Sequence, residues 1–191
     1  HGNGMYAIDS NGIPLPVAYG ATTEIGARTL SEWKKEGKDK IIRSSILQEM
    51  WTGQPLPILA DLKFYDSTIY QAIDKVLLCK DFVNYCLTGE ISTDYTDASA
   101  AGLLNNVSGL YDENVYEVLG LQGVMEKLPP LKQSTDVVGY VTAKAAEASG
   151  LAEGTIVATG MFDVAASLIG AGIFEEGICG MISGTWGINA L

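Results

Sequence analysis

The hydrophobic positions change period along the chain, and the changes predict the elements. Met5–Ile8 alternates, runs into the turn residues Asp9-Ser10-Asn11-Gly12 and resumes at Ile13–Leu15, which reads as two short strands around a turn. Ile25, Leu30 and Trp33 recur at helical spacing, so a helix is expected from a cap near Thr23 to Gly37. Further helices are expected over Arg43–Met50, Pro57–Lys63 (prolines in the first turn) and Thr68–Lys75. A buried strand at Val76–Leu78 leads into a helix over Lys80–Leu87, stopped by Thr88-Gly89. Ser92–Ala101 is polar and then small, with no assigned element, and Leu103–Asn105 reads as a strand before the turn 106–109. Asp112–Leu119 is an acid-capped helix closed by Gly120.

After Pro129-Pro130 the pattern shortens. Val137–Val141 and Thr155–Thr159 read as strands, with an Ala-rich helix over Thr142–Ser149 between them. A helix is expected from Asp163 to Gly170, then two strands, Ile178–Ser183 and Trp186–Leu191, around Gly184-Thr185. Alternating helices and strands place the chain in the α/β or α+β class.

Composition narrows what such a chain can do. Of 191 residues, 12 are Lys or Arg and 23 are Asp or Glu, a formal charge of −11. A protein that binds nucleic acid through the phosphate backbone needs a basic face, so that class is excluded, and an anionic membrane surface is an equally poor partner. No apolar run reaches the ~18 residues of a membrane span. With 47% hydrophobic and 18% charged residues the chain packs a core rather than staying disordered. The three cysteines, Cys79, Cys86 and Cys179, form no disulfide pattern and fit a reducing cytoplasm, and with a single histidine they offer no zinc set. Both ends, His1-Gly2-Asn3-Gly4 and Gly187–Leu191, read as cuts within a longer protein.

The candidate chemistry lies in residues 155–191. An apolar strand, Thr155–Thr159, turns at Gly160-Met161-Phe162 into a helix whose first acidic residue is Asp163. A carboxylate at the C-terminal edge of a strand sits where open α/β folds bind ligands, and there it can take a proton from a substrate hydroxyl. Alone, it reads equally as a helix N-cap. Ser183-Gly184-Thr185-Trp186-Gly187 can present backbone N–H groups and a hydroxyl to phosphate oxygens, or simply close a hairpin.

Order and spacing together resemble the FGGY family of carbohydrate kinases. Gly160-Met161-Phe162-Asp163 followed by Gly170-Ala171-Gly172 is similar to that family's Gly-x-x-Asp…Gly-x-Gly segment, and Ser183–Gly187 to its second phosphate-contacting turn. His1–Gly4, Trp51–Pro55, Leu87-Thr88-Gly89 and Thr93–Ser99 extend the likeness over essentially the whole chain, and Trp51–Pro55 leans toward the L-xylulose-kinase-like branch.

The resemblance implies a ribonuclease-H-like α/β fold of the actin and hexokinase type. Residues 1–175 would form a sugar-binding N-terminal domain lacking its first strands, and 176–191 would begin the ATP-binding domain. It further implies that Asp163 is the general base, that His1 and Asn3 line the sugar pocket, and that Gly184 and Thr185 touch the transferred phosphate or, through water, magnesium. ATP and Mg²⁺ would be bound mainly by parts this chain does not contain. The implied protein is cytoplasmic, acts on a small sugar, most simply a pentulose, and is compatible with a homodimer; the fragment alone would be inactive. Trp33 and Trp51 read as packing residues. One departure stands out: Ala21-Thr22-Thr23-Glu24-Ile25 replaces a segment in which relatives carry an Asp-Arg pair that grips sugar hydroxyls. This leaves a second reading, a sugar-binding pseudokinase or sensor without turnover.

Overall fold

The computed structural model describes residues 2–173, 175–184 and 187–190. Its centre is helix α3, Pro55–Tyr65, in which Leu56, Ile58, Leu59, Ala60 and Leu62 are all at most 1% exposed. A helix apolar on nearly every side belongs inside a core rather than on its surface. Pro55 occupies the first turn, where its missing N–H costs nothing. Around α3 pack α1 (Ala27–Lys35), α2 (Asp39–Ile46), α4 (Ser67–Ala72) and α7 (Glu113–Val118); Trp33, Ile42, Ile46, Val115 and Tyr116 of α1, α2 and α7 join one continuous cluster, with Ile69 and Tyr70 of α4 packed against it. Arg28 clamps the buried Asp61 of α3 with both carboxylate oxygens 3.2 Å from Nη2, while its guanidinium lies over the Tyr65 ring.

Among the described residues the strands form four two-stranded pairs. β1 (Tyr6–Ile8) runs antiparallel to β2 (Lys75–Leu77), and β3 (Thr93–Asp94) parallel to β4 (Leu131–Lys132). β5 (Val137–Tyr140) is antiparallel to β6 (Ile156–Ala158), and β7 (Gly180–Ser183) to β8 (Gly187–Ala190), with Ser183 opposite Gly187. β5, β6 and helix α8 (Ala143–Ser149) enclose a second small core of Val141, Ala145 and Val157 against Leu87 of helix α5 (Cys79–Thr88).

Most expected elements are present, and the differences have local causes. The segment after the first turn reaches β1 only through single bridges, Ile8 to Pro14 and Met5 to Tyr19, because Pro14 and Pro16 cannot donate to a ladder. Helix α1 starts at Ala27 rather than near Thr23, whose N–H closes a turn onto Gly20. Helix α2 lies four residues earlier than expected and stops where Leu47 adopts a left-handed conformation, an ending without the usual Gly signal. Leu103–Asn105 is no strand; Asn105 Oδ1 accepts from the N–H groups of Val107 and Ser108 and folds the chain back. The unassigned polar stretch holds helix α6 (Tyr95–Ala100), started by Asp94, whose carboxylate accepts from the N–H groups of Thr96 and Asp97.

Candidate active site

Helix α9, Asp163–Gly170, brings the candidate base into place. The residue in the capping position is Phe162, which has no side-chain acceptor, so the N-cap reading of Asp163 does not hold. Asp163 is exposed in the first turn, and its Oδ1 accepts from the Val164 N–H at 2.8 Å.

The loop before it is tied at Thr159, Gly160 and Phe162. Thr159 N–H donates to Asp136 O (2.8 Å), Gly160 N–H to Ser134 O (2.9 Å) and Phe162 N–H to Thr96 Oγ1 (2.9 Å). Asn84 Nδ2 donates a hydrogen bond to Thr159 O at 3.0 Å.

Asp163 faces a cavity of about 530 Å³, within the usual range for small-molecule sites. Asn3, Thr22, Trp51, Ser167 and Gly184 also line it. Asn3, Asp163 and Gly184, drawn from far-apart segments, therefore meet at one cavity. His1 and Thr185, the other two residues expected there, lie outside the described residues, as does Trp186. Asn3 adopts a left-handed conformation (φ 59°), is buried, and its Oδ1 has no hydrogen-bond partner among the described residues. A buried acceptor left unpaired costs ~1–3 kcal/mol, so this oxygen is a ready partner for a donor entering the cavity. Gly2 passes close to Asp163, for a Cβ there would stand 2.2 Å from Phe162 Cε2 and 3.1 Å from Asp163 Oδ1.

Trp51 was not apparent as a lining residue from sequence, whereas Thr22 lies in the segment that departs from the relatives. Trp51, expected to be a packing residue, forms a cavity wall, and Thr22 lines the cavity while Ile25 packs on the core. The signal for Trp51 was its place in Trp-Thr-Gly-Gln-Pro, where an aromatic side chain is followed by a glycine and a proline.

Behind the Asp163 loop sits a buried charge cluster. Lys80 Nζ is 2.5 Å from Asp81 Oδ1, 3.0 Å from Asp94 Oδ1 and 3.6 Å from Asp97 Oδ2, and the three carboxylate side chains are at most 1% exposed. Burial opposes ionisation of all three. For Asp94 it is outweighed by hydrogen bonds from Thr96 and Ser134 and by the Lys80 ammonium, which hold its carboxyl below the usual range. Asp97 has no such donors. Burial pushes it up to about 7 against the pull of Lys80, and the neighbouring Asp81, Asp94 and Asp163 charges push the same way.

Residues 1–170 match the description "FGGY family of carbohydrate kinases, N-terminal domain". The chain belongs to the FGGY family. Among curated FGGY relatives it is 36% identical over 187 residues to the probable L-xylulose kinase of Pasteurella multocida, covering 98% of this chain and 39% of that protein. It is 30% identical to the L-xylulose/3-keto-L-gulonate kinase of Escherichia coli, covering 99% of this chain and 38% of that protein. The chain thus spans about two fifths of the length of these relatives. The crystal structure of gluconate kinase from Lactobacillus acidophilus superposes with a TM-score of 0.88 at 22% identity, over 98% of this chain and 38% of that one. Over these residues the chain shares the fold of that kinase, in agreement with the expected ribonuclease-H-like α/β class. No helix among the described residues is long and apolar enough to cross a membrane.

Proposed function

We propose that this chain is the sugar-binding part of an ATP-dependent kinase that phosphorylates a hydroxyl of a small sugar, with a pentulose as the first substrate to test. The observation that carries this reading is the meeting of Asn3, Asp163 and Gly184 at one cavity of sugar size. Asp163 is the general base: it orients the attacking hydroxyl and takes its proton as the bond to phosphorus forms. Asn3 Oδ1 accepts from a second hydroxyl, and Thr22 offers an uncharged partner in the segment that departs from the relatives. The family resemblance assigns His1 a role in sugar binding and Gly184 and Thr185 a role toward the transferred phosphate. The names of the relatives, L-xylulose kinase and L-xylulose/3-keto-L-gulonate kinase, support a ketose or keto-acid substrate.

When bound, ATP supplies the phosphoryl group and Mg²⁺ neutralises its charge. The described residues do not fit that ligand: Asp163 is the one ionisable side chain lining the cavity, and no group of carboxylates, histidines or cysteines is arranged to hold a metal ion. On the family resemblance we assign residues 1–175 to a sugar-binding domain and 176–191 to the start of the ATP-binding domain, with most nucleotide contacts expected from the part of the relatives' length that this chain does not span. The setting is a cytoplasmic metabolic enzyme.

The test is a coupled ADP-release screen of the full-length protein against pentuloses, hexuloses, sugar acids and polyols, with Asp163→Asn alongside. Turnover is expected with at least one ketose and abolished in Asp163→Asn, while calorimetry still detects sugar binding. Near-normal turnover in Asp163→Asn would sink the base assignment, and sugar binding without turnover in the wild type would favour a silent sensor.

A further inference from the structure

The polar segment Thr93–Ser99 has no part in the chemistry above, yet it reaches the base through one hydrogen bond. Thr96 Oγ1 accepts from the Phe162 N–H at 2.9 Å across 66 residues of sequence, and Phe162 directly precedes Asp163. The same hydroxyl donates to Asp94 Oδ2 at 2.5 Å, so its proton is committed and its lone pairs face the Phe162 amide. Asp94 is itself fixed from several sides. Ser134 Oγ donates to it at 2.7 Å, Lys80 Nζ lies 3.0 Å away, and the Thr96 N–H donates at 3.0 Å. The carboxylate is fully buried, so these bonds act where water does not compete.

Ser134 contributes twice, because its carbonyl holds the Gly160 N–H at 2.9 Å. The loop that delivers Asp163 is thus fastened at Gly160 and Phe162 to groups that all converge on Asp94.

The geometry points to Thr96, held by Asp94, as a positioning residue for Asp163. It does not touch the cavity. It fixes the peptide from which the base projects, and a proton-transfer geometry loses ~100-fold in rate for a displacement of ~1 Å. The inference rests on Asp163 being the base.

The experiment uses the full-length protein with Thr96→Val, which keeps the shape and removes the hydroxyl, and Thr96→Ser, which restores it. Thr96→Val is expected to lower kcat ~10- to 100-fold with sugar KM little changed, and to speed amide exchange over residues 159–164. Thr96→Ser is expected to recover most of both. An unchanged kcat in Thr96→Val, a change confined to KM, or a Thr96→Ser variant as impaired as Thr96→Val would each overturn the proposal. Should Thr96→Val fail to fold, Ser134→Ala removes a hydroxyl donor to Asp94 and decides the matter: a fall in kcat with faster loop exchange supports it, and neither change overturns it. Asp163→Asn separates the two readings. If that variant retains turnover the base assignment fails, while amide exchange in Thr96→Val still reports whether Thr96 holds the loop.

Discussion

The carbonyl oxygen of Ala21 lies 2.1 Å from the position a Cβ on Gly53 would occupy. Gly53 in turn accepts the Gly4 N–H at 3.1 Å, so three segments distant in sequence meet at backbone contact beside Asn3, Trp51 and Thr22. The cavity wall is set by this approach, and no side chain fits into it.

Gly53→Ala therefore pushes the Ala21 and Trp51 segments apart. Overpacking of this kind costs ~1–3 kcal/mol. The expected outcome is a lower melting temperature together with weaker sugar binding in the full-length protein, measured by thermal unfolding and calorimetry. A variant with native stability and affinity would show that the wall yields at no cost.

Asn3 allows a cleaner separation of fold from function. Its backbone is left-handed, a conformation asparagine tolerates better than most L-residues and glycine adopts at no steric cost. Its Oδ1 meanwhile has no partner in the described structure. Asn3→Gly should hold or raise the melting temperature while weakening sugar binding by roughly 3- to 10-fold, the equivalent of one net hydrogen bond. Loss of stability without loss of affinity would assign Asn3 to the fold instead.

What sequence reveals about this chain is what short-range chemistry decides. Thr142 caps α8 by accepting the Ala145 N–H, and Gly150 ends it in a left-handed conformation. Asp112 caps α7 in the same way. Each signal lies within a few residues of its effect. The left-handed stop at Leu47 has no such signal, and the six residues of α6 are too few for a periodic stripe to emerge. The same division holds at the cavity. Asn3, Asp163 and Gly184 sit in recognisable motifs, whereas Trp51 and Thr22 reach it through the Gly53–Ala21 approach, a contact between segments some thirty residues apart. The Thr96–Phe162 bond is longer-range still, and nothing local to either residue announces it.

The buried cluster makes a prediction about pH. In the unfolded chain Asp97 ionises near the ordinary aspartate value of 3.8; in the folded protein burial and its acidic neighbours raise this to about 7. Between these values the folded state holds a proton that the unfolded state has lost, so stability falls as pH rises through that window and levels off above it. Asp81, raised chiefly by burial, adds in the same direction. Asp94, lowered by its donors, works the other way, but only as pH falls into the range where carboxylates protonate. Asp97→Asn keeps a neutral side chain at every pH. Wild-type stability should decline from pH 5 to pH 8, and the variant should decline less, closing or reversing any deficit at the alkaline end by an amount of order 1–4 kcal/mol. Denaturant unfolding of both proteins at intervals across that range measures it, and parallel curves would show that Asp97 carries its charge at neutral pH.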